Sequence, residues 1–219
     1  MTESDFANND FLNNLQDALH NFTLKKFFTD NGEDFVFCTY DNETTHRHIK
    51  IYFHKETKEY RVMLSFGLNE FCLTEFFAED IDTFTGKLKS NLDNLLKSLS
   101  EFNGVQNVFI DQKKIPSWKY GLELPSNIEG FELFINPKNI LEITNGSFVI
   151  INYCDFSINT DLAIIYNIFS DDFGSEARIN GAPTVIYDFD STNIKELEQK
   201  IKDNLINQLQ NLRKNAEIN

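Results

Sequence analysis

The sequence predicts an α+β protein in which antiparallel sheets are covered by helices. Two stretches, 47–102 and 148–212, each consist of extended segments followed by one long amphipathic helix. In both helices the apolar residues recur at steps of three and four, which places them on one face. The extended segments alternate apolar and polar side chains, as strands with one buried face do. The apolar helix positions are Phe84, Leu88, Leu92, Leu95, Leu99 and Phe102 in the first stretch, and Ile194, Leu197, Ile201, Leu205, Leu209 and Leu212 in the second.

The two helices also suggest an internal repeat. The tripeptide Asp93-Asn94-Leu95 returns unchanged as Asp203-Asn204-Leu205, a constant offset of 110 in sequence position. Self-similarity at a fixed offset changes the expected fold, because each copy then forms one structural unit. We therefore predict two similar halves, 1–103 and 104–219, that meet near Gly104. The alternative is that short apolar runs match by chance.

The first half is predicted to begin with a helix within residues 4–28, whose apolar stripe is Phe11, Leu15, Leu19 and Phe22. The turn sequence Asp30-Asn31-Gly32 would end this helix. Strands are predicted at 34–40, 47–54, 60–66 and 71–77. The acids at positions 80 and 82 favour a helix start there, since the helix dipole stabilises negative charge at its N-terminus.

The second half is predicted to contain more strands. The predicted elements are a strand at 105–110, an irregular connection over 111–130, a meander over 131–135, 140–144 and 147–154, a strand at 162–169, an acidic loop over 170–182 and a strand at 184–188. Asn145-Gly146 lies between two apolar runs and indicates a hairpin turn. Asn193, followed three residues later by Glu196, resembles a capping box at the start of the final helix.

The charge balance favours a basic protein partner. The chain has 34 acidic and 20 basic residues, so its formal net charge is −14. Such a surface opposes direct binding of a phosphate backbone, which requires Lys and Arg, whereas attraction accelerates encounter with a basic protein. The alternative is that the acids only keep a protein with 22 Phe soluble.

The lack of a signal-peptide or membrane-span pattern and the cysteine usage together predict a cytoplasmic protein. The N-terminal sequence lacks the basic and apolar regions of a signal peptide. No run reaches the roughly 20 apolar residues of a membrane span. The three cysteines, Cys38, Cys72 and Cys154, are far apart and odd in number, which is typical of small buried thiols in a reducing compartment.

Candidate catalytic chemistry is sparse, and we expect neither an enzyme nor a cofactor. His46 and His48 are weak metal candidates, because His54 lies about 20 Å further along a straight strand and cannot join them. Asp172-Phe173-Gly174 matches the metal-binding tripeptide of protein kinases, but the remaining kinase motifs are missing. Serine hydrolase elbows, phosphate-binding loops and dinucleotide-binding glycine patterns are also missing.

Six residues are candidates for partner binding. Trp118 and Tyr120 lie in the long connection, and both types anchor interfaces by burying a large area with few rotors. Trp118 could instead fill the seam between the two halves. The other candidates are Tyr52, on a sheet face expected to be open, and Asp171, Asp172 and Glu176 in the predicted acidic loop.

The order of helix, three strands and helix in residues 4–102 resembles the small acidic chaperones of bacterial secretion systems. The strong acidity, the missing catalytic motifs, the cytoplasmic character and the loop with Trp118 and Tyr120 favour a non-catalytic protein that holds or neutralises a partner, as a secretion chaperone or an immunity protein does. Two alternatives stay open. The chain could mimic nucleic acid and inhibit a basic nucleic-acid-binding protein, or it could be a small metal-dependent enzyme that uses His46 and His48.

Overall fold

The computed structural model describes residues 9–143 and 146–218. The chain forms two compact units, residues 1–102 and 103–219. Each unit contains one antiparallel sheet and one long helix. The predicted combination of antiparallel sheets and helices is thus confirmed in its coarse form. Strands make up most of the described elements, and the helical share is modest.

The first unit is a six-stranded meander in the order β1-β2-β3-β4-β5-β6. Its strands are β1 (Ala18–Leu19), β2 (Phe22–Asp30), β3 (Asp34–Asn42), β4 (Arg47–His54), β5 (Glu59–Phe66) and β6 (Asn69–Cys72). Its helices are α1 (Asp10–Asn13) and α2 (Ile81–Ser100). Asp80 caps α2 by accepting a hydrogen bond from the Thr83 amide at 2.8 Å. The apolar stripe of α2 is buried with strand residues such as Phe37, Ile49 and Val62.

The second unit is a seven-stranded sheet in the order β13-β12-β11-β10-β8-β7, with β9 paired to β10. Its strands are β7 (Asn127–Ile128), β8 (Phe131–Ile135), β9 (Leu141–Glu142), β10 (Ser147–Asp155), β11 (Thr160–Asn167), β12 (Asp172–Ile179) and β13 (Ala182–Ser191). Its helices are α3 (Val108–Gln112), α4 (Lys119–Leu122) and α5 (Ile194–Ile218). The Asn193 side chain accepts from the Glu196 amide at 3.0 Å, as predicted for the cap of α5.

The two units have corresponding elements at one constant offset. Strands β3, β4, β5 and β6 and helix α2 begin at positions 34, 47, 59, 69 and 81. Strands β10, β11, β12 and β13 and helix α5 begin at 147, 160, 172, 182 and 194, so every pair differs by 113 in sequence position. The sheet irregularities correspond as well, because β3 has a bulge at Phe37 and β10 has one at Ile150. The predicted offset of 110 is therefore wrong, since leucine stripes spaced by three and four also match when shifted by one helical turn.

The helix predicted within residues 4–28 is wrong for most of the described part. Only Asp10–Asn13 is helical, and Leu19 pairs with Phe22 in a β-hairpin. The two residues between them, His20 and Asn21, have φ of +48° and +68°. Consecutive positive φ values belong to a tight hairpin turn and end any right-handed helix.

Two predictions for the second half are also wrong. Residues 105–110 do not form a strand, and α3 covers Val108–Gln112 instead. The predicted acidic loop over 170–182 contains β12, whose Phe173, Ser175 and Ala177 face the interior. Small and polar residues at alternate positions concealed this strand from a hydrophobic pattern. Asn145 of the predicted Asn-Gly hairpin lies outside the described residues.

No helix within residues 9–143 and 146–218 is both long and apolar enough to cross a membrane.

Candidate functional site

A groove of about 440 Å³ lies on the second unit over strands β11, β12 and β13. Side chains alternate along each strand, and most residues that line the groove point away from the core shared with α5. Ser175 and Ile186 also line it, although both are buried. The groove is lined by Ile143, Ser147, Ile165, Asn167, Asp172, Gly174, Ser175, Glu176, Val185, Ile186, Tyr187 and Asp190.

The depth of the groove comes from a missing side chain. Gly174 lies opposite Ile165 in the ladder between β12 and β11. A Cβ atom added at Gly174 would meet only the Oδ1 atom of Asp190, at 3.9 Å. The backbone does not require glycine there, since the positive-φ glycines are at other positions. A side chain at position 174 could therefore be accommodated, and because glycine has none, the space stays open.

Three carboxylates, those of Asp172, Glu176 and Asp190, line the groove. Burial raises the pKa of Asp190, Lys200 opposes this shift, and the negative charges of Asp172 and Asp188 add to it. The ion pairs described for the second unit involve Glu123, Asp155, Asp161, Asp171, Glu196 and Glu198. The groove carboxylates therefore have no ion-pair partner among the described residues, and they create a local negative potential that favours a cation.

Exposed apolar side chains lie beside these acids on β13. Val185 is 64% exposed and Tyr187 is 74% exposed. Strand β13 is the last in the sheet order, so one of its edges has no neighbouring strand among the described residues. Tyrosine and aliphatic side chains next to an open strand edge are typical elements of a protein-binding surface.

Pro183 limits how much of this edge can pair. Asn180-Gly181 forms the two-residue turn, and Ile179 and Ala182 close it. Because hydrogen-bonded and non-bonded pairs alternate along an antiparallel ladder, the nitrogen of Pro183 is directed to the open edge. Proline has no N–H group, so the edge cannot donate a hydrogen bond at that residue.

The groove contains two of the six residues predicted to bind a partner, Asp172 and Glu176. Asp171 lies outside the groove, in the turn before β12, with φ of +57°. Its carboxylate accepts from the Tyr166 hydroxyl at 2.7 Å and forms an ion pair with Lys113 at 2.7 Å. The hydrogen bond from Lys113 is the main reason that the pKa of Asp171 is lowered. Asp171 is therefore already engaged within the unit.

Trp118 and Tyr120 pack within the second unit. Trp118 is only 6% exposed and belongs to the core formed by the sheet and α5. Its Nε1–H group donates to Glu198 at 2.9 Å. Tyr120 is half-buried, and the Lys202 ammonium lies 4.7 Å from the centre of its ring. The indole is thus enclosed and hydrogen-bonded within the second unit.

Tyr52 lies on the first unit's sheet and is only 2% exposed. Its hydroxyl is 3.2 Å from Cys72 Sγ, and the Lys50 ammonium is 4.4 Å from the ring centre. Burial is the main reason that the pKa of Tyr52 is raised. The surroundings of Tyr52 therefore fit a packed tyrosine.

His46 and His48 have different local roles. His46 adopts the left-handed conformation that ends a short 3-10 turn. The Nδ1 atom of His48 lies 3.1 Å from Asp41, which also forms an ion pair with Lys25 at 2.9 Å. Among the residues that the structure describes, no group of three or more His, Cys, Asp or Glu side chains is arranged to hold a metal ion.

Acidification is expected to remove stability through Asp34. Burial alone would raise the pKa of this carboxyl, but hydrogen bonds from His54 and Lys50 outweigh burial and lower it. A carboxyl with a depressed folded-state pKa stabilises the fold above its unfolded pKa of about 3.9 and loses that contribution as the pH falls through the folded value. The free energy of unfolding, measured with urea at several pH values, should therefore decrease below about pH 4. This decrease should be smaller in Asp34→Asn than in the wild type. If the unfolding free energy of both proteins falls equally with pH, Asp34 does not cause the decrease.

Sequence reasoning missed Gly174, Val185, Tyr187 and Asp190. Val185 and Tyr187 were predicted to lie on a strand, but nothing in their spacing distinguished an exposed face from a buried one. Gly174 contributes by lacking a side chain, which has meaning only once the strand opposite is known. A repeat offset of 113 would have provided the signal, because it aligns Gly174 with a large side chain in the first unit.

Comparisons with protein-family models, with curated proteins and with solved structures found no match for this chain.

Proposed function

We propose that this protein is a non-catalytic binding protein that holds a partner with a basic surface, and that the groove over β11–β13 is its binding surface. One observation carries the proposal: three carboxylates without ion-pair partners among the described residues lie beside two exposed apolar side chains, Val185 and Tyr187. Immunity proteins and secretion chaperones are two protein classes with this kind of activity.

The two kinds of side chain would have different tasks. The apolar side chains supply buried area and hence most of the affinity. The carboxylates attract a basic partner over a distance, align it and raise the rate of association. The net charge of −14 acts in the same direction from the whole surface.

The proposal places this encounter in the cytoplasm. The cysteines Cys38, Cys72 and Cys154 are free, which suits a reducing compartment.

We also infer that the two units arose by duplication. Corresponding strands, turns and bulges at the single offset of 113 support this inference. The positive-φ turn residues follow the same rule, since Lys58 corresponds to Asp171 and His46 to Asn159.

Neutralising the groove should abolish capture of the partner. In the variant Asp172→Asn/Glu176→Gln/Asp190→Asn, we expect recovery of the partner from a lysate of the native cell to decrease at least tenfold, with slower association of the purified partner. Wild-type binding should weaken as salt rises from about 50 to 500 mM, because salt screens exposed charges.

The matched control is Glu79→Gln/Glu101→Gln/Glu217→Gln, which removes the same charge from exposed acids outside the groove. This control should retain most of the partner. If both variants lose the partner equally, only the overall charge matters and the groove is not the binding surface. If neither loses it, the proposal is wrong.

A further inference from the structure

The first unit indicates what the groove of the second unit would hold. At the offset of 113 between the units, Gly174 corresponds to Arg61. The ladder partners correspond too, because Arg61 lies opposite Tyr52 on β4 and Gly174 lies opposite Ile165 on β11. The same site in the sheet therefore has an arginine in one unit and no side chain in the other.

Arg61 occupies a defined pocket of the first unit. Its Nε and Nη2 atoms donate to Glu59 Oε2 at 3.2 and 2.6 Å, and Nη2 also donates to the Thr57 hydroxyl at 2.9 Å. The guanidinium carbon lies 4.8 Å from the centre of the Phe77 ring. The side chain of Arg61 is only 17% exposed, so this pocket nearly encloses it.

The groove of the second unit retains the polar half of this pocket. Glu59 corresponds to Asp172 and Thr57 to Ser170, and the Ser170 hydroxyl donates to Asp172 at 2.5 Å. Phe77 corresponds to Asp190, which adds a second carboxylate where the first unit has a ring. The acceptors of a guanidinium are therefore present, while the guanidinium itself is not.

We propose that the groove binds an arginine side chain of the partner protein, in the place that Arg61 fills in the first unit. The guanidinium would lie between the carboxylates of Asp172 and Asp190, and the aliphatic stem would pass over Ile165 and Val185. This inference rests on the proposed binding function and specifies the chemistry that the groove recognises.

Arginine fits this site better than lysine does. The guanidinium presents five N–H donors in a planar fork, so it can serve two carboxylates at once. It is also less strongly hydrated than an ammonium and loses less when it enters a partly enclosed groove.

Titration with a small probe tests the inference directly. We would add N-acetylarginine methylamide to the full chain and follow the backbone amide signals of Gly174, Val185 and Tyr187 by NMR. We expect saturable shifts at these signals and at least tenfold weaker binding of N-acetyllysine methylamide. No saturable shift, or equal affinity for the two probes, would overturn the inference.

Substitution at the two corresponding positions gives an independent check. In Gly174→Arg, the new side chain should fill the groove, pair with Asp172 and abolish binding of the arginine probe. In Gly174→Ala, the affinity for the probe should fall by less than about threefold, because the added Cβ makes only an ordinary contact. Arg61→Gly should open a second groove beside Glu59 and add a second set of shifts there. Probe binding that persists at the groove in Gly174→Arg would refute the inference even if Arg61→Gly fails to fold.

The two proposals can fail separately. If the arginine probe does not bind but neutralising the groove still abolishes partner capture, the arginine inference is wrong and the binding function stands. If the probe binds at Gly174 but neutralisation leaves partner capture unchanged, the groove recognises arginine but is not the surface that holds the partner, and the proposed function is wrong.

Discussion

Arg178→Met is expected to lower the free energy of unfolding by about 3 kcal/mol at neutral pH, because it leaves the buried carboxylate of Asp161 without a cation. Asp161 is almost fully buried on β11, and Arg178 on the neighbouring β12 lies 3.2 Å from its Oδ2 atom. Asn152 donates a hydrogen bond to the same Oδ2 atom at 2.9 Å. The Oδ1 atom has no hydrogen-bond partner among the described residues, so the arginine is the main compensation for the buried charge.

The loss should depend on pH in a defined direction. Burial raises the pKa of Asp161, while Arg178 and the hydrogen bond from Asn152 oppose the shift. An acid whose folded-state pKa is raised costs stability above that pKa, and the cost disappears as the pH falls towards the unfolded value of about 3.9. Removing Arg178 raises the folded pKa further, so the loss should be larger at pH 7 than at pH 5.

Urea unfolding followed by tryptophan fluorescence measures this effect, since Trp118 is the only tryptophan and packs in the second unit. The double variant Asp161→Asn/Arg178→Met should recover part of the loss, because no charge is then buried. A loss below about 1 kcal/mol at pH 7 would show that Asp161 does not depend on Arg178.

Leu209→Ala should cost about 2 to 5 kcal/mol of unfolding free energy, because it creates a cavity where α5 meets the sheet. Leu209 is fully buried in the core of the second unit. Its counterpart on α2 is Leu96, also fully buried, and Leu96→Ala should have a cost of the same size. Urea unfolding followed by circular dichroism would measure both.

Ile206→Ala is the matched control for this prediction. Ile206 lies on the same helix, but it is 54% exposed, so the same kind of truncation should cost less than about 1 kcal/mol. If Ile206→Ala costs as much as Leu209→Ala, the stripe that we assign to the core is rotated on the helix.

The long helices and most strands could be predicted from the sequence, because they carry strong periodic patterns and clear caps at Asp80 and Asn193. The N-terminal helix could not be excluded, because apolar residues spaced by four fit a helix as well as a hairpin. The positive φ of His20 and Asn21 separates the two. Both residue types tolerate positive φ, but the helical spacing of the apolar residues around them outweighed this turn signal.

The candidate site was partly predictable. Asp172 and Glu176 were recognised by their charge, although in a loop that is in fact the strand β12. Gly174 and Asp190 were not recognised, because only the pairing of β12 with β13 brings them close together. A recess that is shaped by an absent side chain has no sequence signature of its own. It can be recognised only by aligning the two units, and that alignment depended on an offset that the leucine stripes left ambiguous.

The proline at position 183 also limits how other strands can pair with the open edge of β13. Together with the acids at 172, 176, 188 and 190, it affects pairing with a second copy of this chain differently from pairing with another protein. Two copies of the chain that met along this edge would align like charges and lose a backbone donor, both of which oppose aggregation. A basic segment meets no such repulsion and can pair beyond the proline. Pairing of this edge with a second copy of the chain is therefore expected to be less favourable than pairing with a basic segment.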